Sequence, residues 1–255
     1  MFDSRLFISF NTSRSAAGNT SRPATSSSFS LLKRSTVFTV CALVCTFALT
    51  RVRGFQDAPV QLNGFVQQAR LTANDGEGSD QLGRSVAVSG DTVLVGVPGD
   101  NEGALVNQGA AYVFRRTGTT WAQEAKLLAN DGQNGDAFGQ SVALDGDVAV
   151  IGAAFDDKPT GNNAGSVYVY RRTGTTWAFE QRLVPNDAQA NDHFGNAVSV
   201  VGDTILIGAS LKDIGANTDQ GAAYVFKRAG GVWSQQTRLT AGNGAAADEF
   251  GDAVG

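Results

Sequence analysis

The feature that most constrains this chain is an interval. Leu71, Leu127, Leu183 and Leu239 stand 56 residues apart, and so do Trp121, Trp177 and Trp233, with no insertion or deletion between them. "DQLGRSVAVSGDTVLVGVP" at 80 to 98 returns as "DAFGQSVALDGDVAVIGAA" at 136 to 154 and as "DHFGNAVSVVGDTILIGAS" at 192 to 210, and "RRTGTTWA" recurs verbatim at 115 and 171. A fixed period of this length marks one supersecondary unit used several times, each copy burying its apolar faces on its neighbours.

Each period carries four strand signals. "FGQSVAL" is short and small, "DVAVIGA" and "GSVYVYRR" are almost continuously apolar, and "TWAFEQRLV" alternates. Gly146, like Gly90 and Gly202, predicts a tight hairpin between the first two, and Gly174 marks the turn between the third and fourth. Four antiparallel strands per period predict an all-β fold, a β-propeller built of four-stranded blades. Blades converge on an axis, so the innermost strand must be narrow, and Gly139, Ser141 and Ala143 fit. Middle strands covered on both faces become wholly apolar. Counted from Leu71, the chain holds about 3.3 periods, whereas propellers close with four to eight blades. The expectation is an incomplete ring of about three blades plus partial edge strands, from a longer protein, prone to self-association.

Residues 1–56 read differently from residues 57–255. Of 20 Lys/Arg and 24 Asp/Glu, residues 1–53 hold seven basic residues and only Asp3, leaving 13 against 23, or −10, for the remainder. An acidic surface repels phosphate backbones, which argues against nucleic acid as a partner. The apolar run "TVFTVCALVCTFAL" at 36–49 follows Lys33-Arg34 and holds both cysteines, Cys41 and Cys45. It is too short for a membrane-spanning helix, which needs about 20 residues, and fits a secretory signal core with a cleavage site at Thr46-Phe47-Ala48. Val40 and Val44 precede the cysteines where lipidation requires a small residue. The Ser/Thr-rich stretch 11–30 predicts disorder. No stable transmembrane span is expected, and the protein is expected to be secreted or at the cell surface.

The order Phe138-Gly139, Gly146-Asp147, Gly152-Ala153 and Gly221-Ala-Ala-Tyr-Val-Phe226 resembles the FG-GAP repeat of the integrin alpha-chain β-propeller, more closely its short-loop bacterial relatives, over residues 64–255. Leu82 replaces the phenylalanine in the first copy, and of the prolines only Pro98 is kept. The resemblance implies a non-catalytic role in binding or adhesion. Integrin-like repeats often hold calcium in the loop between the first two strands. Here that loop has shrunk to Ser89-Gly90-Asp91, Asp145-Gly146-Asp147 and Val201-Gly202-Asp203, too few carboxylates for the six to eight oxygens calcium takes. No calcium site and no other cofactor are expected.

Other candidates are weighed singly. Asp75/Asp80, Asp131/Asp136, Asp187/Asp192 and Asn243/Asp248 precede the Phe-Gly positions, either as a weak cation site or as caps of a tight loop, the latter the routine use of Asp and Asn. The acidic loops "PGDNEG" and "FDDKPTG" between strands two and three read as solvated, though such variable loops also bind ligands. His193, the one histidine, takes the slot of Gln81, Ala137 and Glu249 and reads as a surface residue. Trp121, Trp177 and Trp233 read as packing rather than sugar platforms. No catalytic constellation, metal cluster or phosphate loop is visible, so no catalytic, cofactor-binding or metal residue is assigned. The expected partner is a protein or carbohydrate; the rival reading is the propeller scaffold of a secreted hydrolase or a lectin-like carbohydrate-binding protein.

Overall fold

The computed structural model describes residues 65–157 and 161–255, with the short strands β1 (Leu6–Phe7) and β2 (Gln61–Leu62). The predicted export signal, its apolar run and both cysteines lie outside the described residues. The chain divides into two units, 9–68 and 1–8 with 69–255. In the former, β2 pairs antiparallel with β3 (Phe65–Val66). In the latter, β1 pairs with β4 (Arg70–Leu71), followed by three four-stranded antiparallel sheets.

Sheet I comprises β5 (Ser85–Ser89), β6 (Thr92–Val97), β7 (Ala110–Thr117) and β8 (Thr120–Leu127). Sheet II repeats it with β9 (Ser141–Asp145), β10 (Val148–Ala153), β11 (Ser166–Thr173) and β12 (Thr176–Leu183), and sheet III with β13 (Phe194–Val201), β14 (Thr204–Ala209), β15 (Ala222–Ala229) and β16 (Val232–Leu239). Strands neighbour one another in chain order, and no helix occurs among the described residues. The all-β expectation of stacked four-stranded blades holds.

Turn chemistry explains the local structure. Asp145 pairs with Val148, so the loop is Gly146-Asp147, and Gly146 takes φ 55° as the first position of a two-residue hairpin requires. Thr173 pairs with Thr176 around Gly174, at φ 64°. A bulge recurs at one place in the third strand, between Val113/Phe114, Val169/Tyr170 and Val225/Phe226.

Alternation within sheet II builds two cores. Val142, Leu144, Ala149, Ile151, Tyr168 and Tyr170 pack against Leu94, Val113 and Leu127 of sheet I. Ala143, Val148, Val150, Val167, Val169 and Leu183 pack against Ile205, Ile207, Tyr224 and Phe226 of sheet III. β10 is therefore buried at all six positions, as predicted for a middle strand covered on both faces. The far face of sheet III lacks such cover: Leu239 is 42% exposed where its counterpart Leu183 is 1% exposed.

The Phe-Gly pairs form the joints between sheets. Phe138 is fully buried, edge-on to Tyr168 at 5.3 Å, and Phe194 meets Tyr224 likewise at 5.5 Å. The Phe138 N–H donates to the Gln108 carbonyl at 2.9 Å, tying the start of one copy to the loop of the copy before it. Gly139, at φ 94°, then crosses Gly96 so closely that a Cβ on Gly96 would lie 2.0 Å from the Gly139 oxygen. Gly152 meets Gly195 and Gly208 meets Gly251 in the same way, at 2.1 and 1.9 Å. The Phe-Gly of each copy thus passes over the Gly-Ala glycine of the preceding one, and both must be glycine for the sheets to close together.

Candidate ligand-binding rim

The loops between strands two and three and those between successive sheets gather at one end of the sheets; the two-residue hairpins lie at the other. At the loop end each Asp pair has been divided between two structural tasks. Asp136 Oδ2 accepts the Gln133 N–H at 2.6 Å, Asp192 Oδ2 that of Gln189 at 2.7 Å and Asp248 Oδ2 that of Ala245 at 2.6 Å, while Asp80 accepts from the Glu77 N–H. These are turn caps. The other member accepts from a tyrosine: Tyr112, Tyr168 and Tyr224 donate to Asp75, Asp131 and Asp187 at 2.8, 2.8 and 3.0 Å.

The acidic loops correct their sequence reading. Asp100 and Asp156, expected in water, are 3% and 1% exposed. The Tyr112 and Tyr168 hydroxyls also lie 2.8 and 2.9 Å from them, so each single O–H proton is shared between two carboxylates, and a fourth-strand cation completes each group: Lys126 lies 2.9 Å from Asp100, and Arg182 lies 3.0 Å from Asp156. Burial of a carboxylate is tolerated because it is both hydrogen-bonded and ion-paired. Burial works to raise the Asp75 pKa, but hydrogen bonds from Lys126 and Tyr112 outweigh it and hold that carboxyl below its ordinary value. The tyrosine hydroxyls are pushed up, first by burial and then by the neighbouring carboxylates. In the third copy Lys212 replaces the aspartate and donates to the Asp187 carbonyl, Gln189 Oε1 and Asp192 Oδ2 at 2.8, 2.9 and 3.0 Å.

The tryptophans stitch the outer edge. Trp177 Nε1 donates to Glu124 of the preceding sheet at 2.9 Å, Arg172 lies over its ring at 5.3 Å, and Trp233 is 2% exposed. Arg228 donates to Glu180 at 2.7 Å across the next joint.

Two columns of the repeat behave otherwise. Gln81, Ala137, His193 and Glu249 all take positive φ, between 52° and 62°, in the residue before the Phe-Gly position. Non-glycine residues adopt this conformation uncommonly, and the sequence carries no residue type that announces it. The column after Phe-Gly reads Arg84, Gln140, Asn196 and Asp252. One fixed backbone therefore presents different side chains at each joint. His193 is half-buried rather than a surface residue, because its ring packs edge-on against Phe155 at 5.0 Å. Burial pushes its pKa down against the opposing pull of Asp219 and Asp192.

Among the described residues, two clefts at this end bear on a ligand site. One, of about 330 Å³, is lined by Asp187, Gln189, Lys212 and Arg238, which are already bound to one another or to their own loop. The other, of about 340 Å³, lies at the joint of sheets I and II and is lined by Gln81, Arg84, Asn107, Ala137, Gln140 and Phe155 among others.

Antiparallel four-stranded units, stacked through repeated glycine joints, define a β-propeller repeat protein. The FG-GAP repeat matches residues 65–114, 121–170 and 177–226, more than half of the chain, and the chain belongs to that family. The second and third matched segments begin on the outer strand of one sheet, β8 or β12, and end on the third strand of the next, β11 or β15, so the unit of sequence straddles a joint. No curated protein matches the chain in sequence. Among solved structures, the computationally designed Ika4 protein is similar over 65% of this chain and 76% of its own, at 17% identity and a TM-score of 0.36, too distant to inform the rim.

Proposed function

We propose that this protein is an exported, non-catalytic binding or adhesion module acting at or outside the cell surface, and that the loop end of its sheets is the ligand surface. The observation that carries the reading is the pair of variable columns: residues serving the fold recur in every copy, whereas Gln81/Ala137/His193/Glu249 and Arg84/Gln140/Asn196/Asp252 change on an unchanging backbone. Diversity on a rigid scaffold is how binding surfaces are built. The carboxylates that could serve hydrolysis are engaged instead as turn caps and tyrosine acceptors, which supports a binding role over the hydrolase scaffold.

The test is retention of the labelled full chain on immobilised polysaccharides and extracellular proteins, compared between a rim variant (Gln81→Ala with Arg84→Ala) and a hairpin variant at the opposite end (Asp147→Ala). The rim variant loses retention and the hairpin variant keeps it; the reverse pattern sinks the reading. Export is tested separately, by fusing residues 1–56 to a reporter and assaying the medium.

A further inference from the structure

The three joints share one backbone plan, yet the cleft between sheets I and II is hollow where the next joint is filled. Gly99 and Ala137 correspond, one period on, to Phe155 and His193, whose rings pack together at 5.0 Å. In the first joint both rings are absent, and Phe155 stands at the side of the space as a wall. The opening is thus made by two small residues at positions that carry a plug at the next joint.

The groups facing this space are uncommitted. Arg84 has an exposed guanidinium with no hydrogen-bond or ion-pair partner among the described residues, and the side chains of Gln81, Asn107 and Gln140 have none there either. The neighbouring cleft of similar size differs, its Lys212 and Arg238 being held by Asp192 and Asp187. A free guanidinium pairs bidentately with a carboxylate. Three carboxamides supply both donors and acceptors, the inventory that neighbouring hydroxyls need. Phe155 offers a flat apolar face, and the volume of about 340 Å³ lies within the range of small-molecule clefts. A simple carboxylate without hydroxyls or amides would engage Arg84 and leave the carboxamides unused; a neutral sugar would leave Arg84 unused.

Resting on the reading of the loop end as a ligand surface, we infer that this cleft binds a carboxylate-bearing sugar unit, with Arg84 on the carboxylate, Gln81, Asn107 and Gln140 on the hydroxyls and Phe155 against the ring.

The experiment titrates the full chain with sodium glucuronate, glucose and N-acetylglutamate by calorimetry or ligand-observed NMR. Glucuronate binds at least about tenfold more tightly than glucose, the size of one charge-assisted contact, and more tightly than N-acetylglutamate, which lacks the ring hydroxyls. Arg84→Gln lowers glucuronate binding to the level of glucose. Ala137→His, which copies the plug of the next joint onto a backbone of nearly the same φ (54° against 53°), abolishes it with an unchanged melting profile. If that variant misfolds, the exposed Arg84→Gln change decides alone. Equal binding of glucose, or tighter binding of N-acetylglutamate, overturns the ligand class. Glucuronate binding indifferent to Ala137→His in a folded variant overturns the location. No binding of any probe while the rim still mediates retention on a surface overturns the cleft and leaves the binding module standing; loss of both removes the reading beneath it.

Discussion

The glycine joint can be dissected with three Gly→Ala substitutions that differ in one physical respect each. Gly146 has φ +55° and open space around a new Cβ, so Gly146→Ala tests conformation alone. Left-handed geometry costs a non-glycine residue roughly 1–2 kcal/mol, and the stiffer unfolded chain returns about 0.4–1, leaving a net loss near 1 kcal/mol. Gly96 carries no positive φ, so Gly96→Ala tests space alone: its Cβ would lie 2.0 Å from the Gly139 oxygen and 3.0 Å from the Gly139 carbonyl carbon. Non-bonded heavy atoms sit comfortably at roughly 3.5 Å, and both partners are backbone, so sheets I and II must separate by more than an ångström. Overpacking typically costs about 1–3 kcal/mol, and here it should reach the upper end or beyond, since no side chain can turn aside. Gly139→Ala combines both, with φ +94° and contacts of 2.3 Å to the Ala110 oxygen and 2.8 Å to the Val97 nitrogen, and should be the worst. Urea unfolding of the full chain, with amide exchange to localise the change, should rank the losses Gly146 < Gly96 < Gly139, with early exchange in the last two at Ala137 and Phe138, whose N–H groups donate across the joint. If Gly96→Ala proves as mild as Gly146→Ala, the joint is looser than described and the account of the Phe-Gly and Gly-Ala motifs fails.

Leu183→Ala should cost roughly 2–5 kcal/mol and Leu239→Ala under about 1, because the same slot is 1% exposed in one sheet and 42% in the other; equal losses in urea unfolding would refute sheet-on-sheet burial as the source of stability. His193 has a depressed folded pKa, so its contribution is intact above its ordinary value of 6.5 and is lost as pH falls below that value, where the unfolded chain takes up the proton first. The gap in melting temperature between wild type and His193→Gln should therefore shift against the wild type from pH 7.5 to pH 5, and a constant gap would remove the histidine from that role. Millimolar calcium against a chelator should leave the melting temperature nearly unchanged: the hairpin carboxylates Asp91 and Asp147 already accept from Arg116 and Arg172 at 2.8 and 2.7 Å, and a ligand at a hundred times its Kd would add about 2.7 kcal/mol. A rise of several degrees would restore a cation site.

Strands, turns and stacking could be read from the sequence because their signals are local. Gly146 and Gly174 announce hairpins within a few residues, and "DVAVIGA" is apolar throughout because both its faces meet another sheet. The burial of Asp100 and Asp156 was illegible for the opposite reason. Composition made their loops look solvated, while the groups that make burial tolerable are distant: Tyr112 and Lys126 lie on other strands of the sheet, and Asp75, which shares the tyrosine, lies 37 residues before it. The half-burial of His193 escaped similarly, since Phe155 belongs to another loop. The cleft had a signal, but one that reading along the chain does not register. Gly99 and Ala137 are unremarkable small residues until they are set against Phe155 and His193 one period later. Because every joint uses the same backbone, a cavity present at one and filled at the next can arise only from side chains that break the repeat. In such a chain, recurrence identifies what the fold needs, and comparison down the columns is what separates a hollow joint from a plugged one.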